Sequence, residues 1–62
     1  MTMQSVSSSA IRAVGYDGYT LSVRFQSGRT YDHPNVPYHV YEGLMRASSK
    51  GAYYSAYIRG RY

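Results

Sequence analysis

Leu21-Ser22-Val23-Arg24-Phe25-Gln26 alternates apolar and polar side chains at every step, the period of two expected of a strand with one buried face. Just ahead of it, Asp17-Gly18 supplies a turn: glycine reaches positive φ without steric cost, and aspartate can bond its own backbone. The preceding strand can then pair in two ways. A two-residue loop puts Arg12 on the face of Leu21 and Val23. A three-residue loop, Tyr16-Asp17-Gly18 with Gly18 left-handed, puts Ile11, Ala13 and Gly15 there instead. An unpaired buried arginine is costly, which favours the second register. The expected core therefore includes Ile11, Val23, Phe25 and Leu44, with Arg12 in solvent.

Downstream, Ser27-Gly28 ends the central strand and Arg29 to His33 reads as a third antiparallel strand, with Tyr31 on the face of Val23. Pro34 removes a donor and stops the ladder. A helix follows from Pro37, since proline is tolerated at a helix start and Val40, Tyr41, Leu44 and Ala47 fall along one face. Gly43 weakens it by about 1 kcal/mol relative to alanine. Ser48 or Ser49 can cap a second, shorter helix carrying Tyr53, Tyr54, Tyr57 and Ile58, which Gly60 ends. Its tyrosines cannot all turn inward: the pair Tyr54 and Ile58 takes the inner face, leaving Tyr53 and Tyr57 outside. The resulting expectation is an α+β fold, a three-stranded antiparallel β-meander followed by two short α-helices packed on one face. Residues 9–62 form its single domain after a flexible, serine-rich segment 1–8.

Sixty-two residues bury only roughly 60% of their chain surface on folding, so the core is small. With no cysteine, disulfides and thiolate metal sites are excluded. No apolar run approaches the ~20 residues that span a bilayer, and the start of the chain lacks the basic and apolar regions of a signal peptide. The reading is cytoplasmic, without membrane partners. Nine tyrosines, one phenylalanine and no tryptophan favour surfaces and contacts over a dry core, because tyrosine buries its ring and keeps its hydroxyl wet.

The net charge of +4 is unevenly spread. Residues 1–42 balance Arg12, Arg24 and Arg29 against Asp17, Asp32 and Glu42. Residues 43–62 carry Arg46, Lys50, Arg59 and Arg61 with no acid, interleaved with Tyr53, Tyr54, Tyr57 and Tyr62. Cations for phosphate beside rings for bases suit single-stranded or looped nucleic acid, and Lys50-Gly51 at a helix start adds backbone donors for an anion.

Five stretches resemble the KTSC domain, a small bacterial and phage module found alone and at the C-terminus of some lysyl-tRNA synthetases. They are Ser9–Asp17 (SAIRAVGYD), Leu21–Gly28 (LSVRFQSG), Tyr31–Pro37 (YDHPNVP), Val40–Leu44 (VYEGL) and Ser48–Tyr62 (SSKGAYYSAYIRGRY). The closing run is the most specific of them. The resemblance implies RNA binding with no defined site. The family's central Tyr-x-Tyr pattern maps onto Tyr31 and His33, so imidazole stands where the second ring is usual. The first turn is also shorter, with only Gly18 and Tyr19 between Asp17 and Thr20.

For acid–base chemistry the chain offers His33, His39 and Asp32, but nothing in the sequence brings the two imidazoles to one reacting atom. Two histidines and three carboxylates show no metal-ligand spacing. There is no nucleophile motif, and so small a core leaves no room for a cofactor cleft. The chain therefore reads as a non-enzymatic module without cofactors. Its candidate nucleic-acid-binding residues are Arg46, Lys50, Tyr53, Tyr57, Arg59 and Arg61, and its expected partner is RNA or another single-stranded nucleic acid. The alternative is a protein-contact or homodimer module using the same tyrosine-rich surface.

Overall fold

The computed structural model describes residues 2–62. The alternating Leu21–Phe25 segment is a strand, β3, flanked by β2 (Ile11–Tyr16) and β4 (Thr30–His33), with a further short strand, β1 (Met3–Ser5), beyond β2. All neighbours run antiparallel, in the order β1-β2-β3-β4. The sheet thus has four strands where the sequence predicts three. The extra strand lies in the serine-rich start, where no alternation marks it. It forms because β2 offers Ala13, Val14 and Gly15 as pairing partners to Ser5, Gln4 and Met3.

The register of the first hairpin also differs from the expectation. Tyr16 faces Leu21 and Val14 faces Val23, and the Asp17 N–H donates to the Thr20 carbonyl at 3.3 Å. That is the two-residue loop, Gly18-Tyr19, with Gly18 at φ +94°. Asp17 Oδ1 accepts the amides of Tyr19 (2.9 Å) and Thr20 (2.7 Å), an Asx-type turn. Val14 and Tyr16, rather than Ala13 and Gly15, therefore share the face of Leu21 and Val23. Arg12 escapes burial by a β-bulge. Ala13 faces Arg24, yet Ile11 faces Phe25, so Arg12 is the extra residue and turns outward. Ile11 thereby rejoins the inner face and is fully buried, while Arg12 stays exposed and donates to the Gln26 carbonyl. The cost of a buried arginine is met by breaking the ladder at Arg12, not by shifting the loop to three residues.

The second hairpin follows the expected three-residue logic. Phe25 N–H donates to the Arg29 carbonyl at 2.8 Å and Gly28 sits at φ +98°, which leaves Val23 opposite Tyr31 and Leu21 opposite His33. On the outer face Ser22 Oγ donates to Asp32 Oδ1 at 2.5 Å, and Arg24 Nε donates to Thr30 Oγ1.

Pro37 caps the first helix, α1 (Tyr38–Arg46), whose Val40 and Leu44 are buried. Ser49 caps α2 (Lys50–Tyr57), its Oγ accepting from Ala52 N–H. Tyr54 and Ile58 point inward, as their spacing predicts, and Gly60 takes φ +78° just past the helix. Both helices lie on the inner sheet face, where Ile11, Val14, Leu21, Val23, Val36, Val40, Leu44, Tyr54 and Ile58 form one core. Phe25, expected deep inside, is only half-buried at the rim.

The bulge makes neighbouring positions behave oppositely. Ile11→Ala is expected to cost about 2–5 kcal/mol, most of what a core this small supplies, whereas Arg12→Ala is expected to stay within roughly 0.5 kcal/mol of the parent. Urea unfolding checks both, and an unbulged register would reverse the order.

Candidate nucleic-acid interface

The basic residues of the last third are spread around α2 and the end of α1. Arg46 is exposed in the last turn of α1, where a cation is favoured by the helix dipole. Lys50 opens α2, and its Nζ donates to the Ala47 carbonyl at 3.1 Å, closing the junction between the helices. Arg61 is exposed, and its Nε donates to the Ala56 carbonyl at 3.2 Å. Arg59 is exposed past the end of α2 and lines a groove of about 820 Å³ between α2 and the β3–β4 hairpin.

Helical spacing divides these side chains. Positions 53 and 57 lie on the flank toward α1, whereas Ala52, Ser55 and Arg59 line the opposite flank, facing the groove. Tyr57 is exposed, its ring 4.7 Å from that of Tyr53. Tyr53 is half-buried, because it lies over Gly43 of α1: a methyl group built on that glycine would overlap Tyr53 Oη and stand 2.7 Å from Cζ. The glycine that weakens α1 in isolation is what allows the tyrosine of α2 to close on it. Burial, followed by the charges Tyr57 and Tyr62 would carry, holds the Tyr53 phenol above its ordinary pKa.

Tyr54 is the innermost ring. Its hydroxyl lies 2.8 Å from His33 Nε2, while His33 Nδ1 lies 3.4 Å from the Tyr62 carbonyl. The imidazole at the second position of the Tyr31-x-His33 pair is thus buried and bonded on both nitrogens. Burial, followed by the proximity of Tyr31, also raises the Tyr54 phenol. His39 sits on α1, exposed. Among the described residues there is no cluster of three or more histidines, carboxylates or cysteines that could hold a metal. No helix among them is long and apolar enough to cross a membrane.

The groove contains side chains that sequence reasoning passed over. Arg29 and Tyr31 fall in the charge-balanced part of the chain, so composition gave no reason to single them out, and only the fold brings them opposite Arg59. Tyr31 is 45% exposed and meets Phe25 edge-on at 5.7 Å.

A model of the KTSC domain family matches residues 7–62. The chain belongs to the KTSC domain family. A crystal structure of a KTSC domain protein from Yersinia pestis superimposes with a TM-score of 0.92 at 35% identity, covering 97% of this chain and 87% of that one. A protein of Tsukamurella paurometabola is 40% identical over 62 residues, which is 97% of this chain and 92% of that protein. Lysine–tRNA ligases match only as a domain within a larger enzyme. That of Trichormus variabilis is 42% identical over 69% of this chain but 8% of its own length, and that of a Nostoc species 39% identical over 87% and 10%.

The Gly43–Tyr53 contact predicts a reversal of helix propensity. Gly43→Ala in a free helix gains about 1 kcal/mol; in this KTSC domain it is expected to lose about 1–3 kcal/mol through overpacking. Added to a Tyr53→Ala background, the same change is expected to stabilise. Thermal unfolding of the four proteins of this cycle checks it, and a raised Tm for Gly43→Ala alone would contradict the contact.

Proposed function

We propose that this KTSC domain is a non-enzymatic module that binds RNA or other single-stranded nucleic acid through the surface of residues 43–62. The observation that carries the reading is the charge asymmetry: Arg46, Lys50, Arg59 and Arg61 with no acid on that segment, against a balanced remainder. Arg46 and Arg59 are the most available to phosphate, since Lys50 and Arg61 also hold backbone carbonyls of their own chain. Tyr57 offers an exposed ring, steadied by Tyr53 beneath it. The matches to enzymes named lysine–tRNA ligase lend support, because they place a similar sequence in proteins that act on an RNA. The buried His33 and the exposed His39 belong to different elements, which favours binding without turnover.

Salt-dependent titration against single-stranded RNA, folded tRNA and duplex DNA tests the proposal. Four phosphate contacts on a single strand give a log–log salt slope near 3, at about 0.7 per contact, so Arg46→Ala or Arg59→Ala is expected to lower it by roughly 0.7 and to weaken all sequences alike. Tyr57→Ala is expected to lower affinity by about 1–3 kcal/mol with the slope unchanged. The RNA is expected to be recovered intact. Absence of salt-sensitive binding at millimolar protein in ~50 mM salt would reject the reading. Concentration-dependent sedimentation of the free protein would then support the alternative, self-association through the same tyrosines.

A further inference from the structure

We infer that the groove between α2 and the β3–β4 hairpin is a pocket for one unstacked nucleotide, its base stacked on the exposed Tyr31 ring that Phe25 braces and its phosphates between Arg29 and Arg59. The inference rests on the nucleic-acid reading and places the base-contacting site on residues outside those the charge run singles out.

Contrary to the expectation that so small a core leaves no room for a ligand cleft, the groove, which opens at the surface between elements rather than inside the core, has the volume of one, about 820 Å³ against the roughly 300–1,000 Å³ usual for such clefts. Its α2 wall is built from Gly51, Ala52 and Ser55, small residues that keep it open. Gly51 is constrained as well: a Cβ there would stand 3.0 Å from the Cβ of Ala10, which also lines the groove, so the helix start is seated directly on the chain entering β2. The floor is aromatic and held in place. Phe25 meets Tyr54 edge-on at 5.0 Å (81°) and Tyr31 edge-on at 5.7 Å (78°), so the buried Tyr54 fixes Phe25, and Phe25 in turn orients the exposed Tyr31. Rings in such an arrangement are already ordered before a base arrives, which lowers the entropic cost of stacking.

Charge selects the occupant. Arg29 comes from the hairpin turn and Arg59 from beyond the end of α2, so each wall contributes an arginine to the lining, and among the described residues the lining contains no acid. Asp32, on the same strand as Tyr31, accepts from Ser22 on the outer sheet face. At the N-terminus of α2 the Ala52 N–H is taken by Ser49 Oγ. A flat ring with an anion on each side matches this combination; bases stack on tyrosine irrespective of sequence, and arginine binds phosphate in a planar fork. A strand entering here could continue around α2 past Arg59.

Fluorescence anisotropy with a labelled single-stranded oligouridylate at ~50 mM salt tests the inference on the intact protein. Tyr31→Ala is expected to weaken binding roughly 5- to 150-fold without changing the salt slope. Arg29→Gln, in an exposed turn outside the folded core, is expected to lower that slope by about 0.7. Both variants are checked for the parental Tm, and Arg29→Gln carries the test if Tyr31→Ala unfolds. Wild-type binding that neither change affects would overturn the nucleotide pocket and leave the basic surface of residues 43–62 standing. No RNA binding by the wild type would overturn both.

Discussion

The β-bulge at Arg12 is the constraint on which the rest of the fold depends. A strict two-residue alternation carried from Tyr16 back along β2 would put the Arg12 guanidinium into the core and Ile11 into water. One extra residue reverses both, leaving Ile11 fully buried beside Val14, Leu21 and Val23. Tyr54 and Ile58 of α2 belong to the same buried cluster as Ile11, and Gly51 rests on the adjoining Ala10. The bend in β2, the seat of α2 and the opening of the groove are therefore parts of one packing arrangement.

A second tie holds the other end. Val36, fully buried in the loop between β4 and α1, donates its N–H to the Tyr19 carbonyl at 2.9 Å and accepts the Tyr16 hydroxyl at 2.6 Å. Tyr16 also stacks on Tyr41 of α1 at 4.5 Å and 12°. Here tyrosine serves as a core residue with a satisfied hydroxyl, as Tyr54 does against His33. The high tyrosine content thus divides into rings that hold this small fold together and rings, such as Tyr31 and Tyr57, that remain at its surface.

The sequence was most legible where a single element sets its own pattern. The alternation of Leu21 to Phe25, a serine cap at position 48 or 49 and the inward pair Tyr54 and Ile58 follow from local spacing alone. What could not be read depends on a partner. Met3 to Ser5 becomes a strand because β2 has a free edge, Arg12 is ejected because the ladder breaks, and Tyr53 is half-covered because Gly43 on another helix makes room. The candidate site followed the same rule. Charge asymmetry pointed to the last third of the chain, but which flank of α2 each side chain occupies, and that Arg29 and Tyr31 stand opposite Arg59, are consequences of tertiary packing.

We expect the surface around α2, rather than the end bearing Tyr19 and Tyr38, to meet a single-stranded nucleic acid. Amide chemical shifts of the labelled protein, followed during titration with a short single-stranded RNA at low salt, address it residue by residue. The largest shifts are expected to cluster at residues 46–61 and at Arg29 to Tyr31, and to vanish as salt is raised. Shifts centred on Tyr19 and Tyr38, or none at saturating RNA, would contradict it.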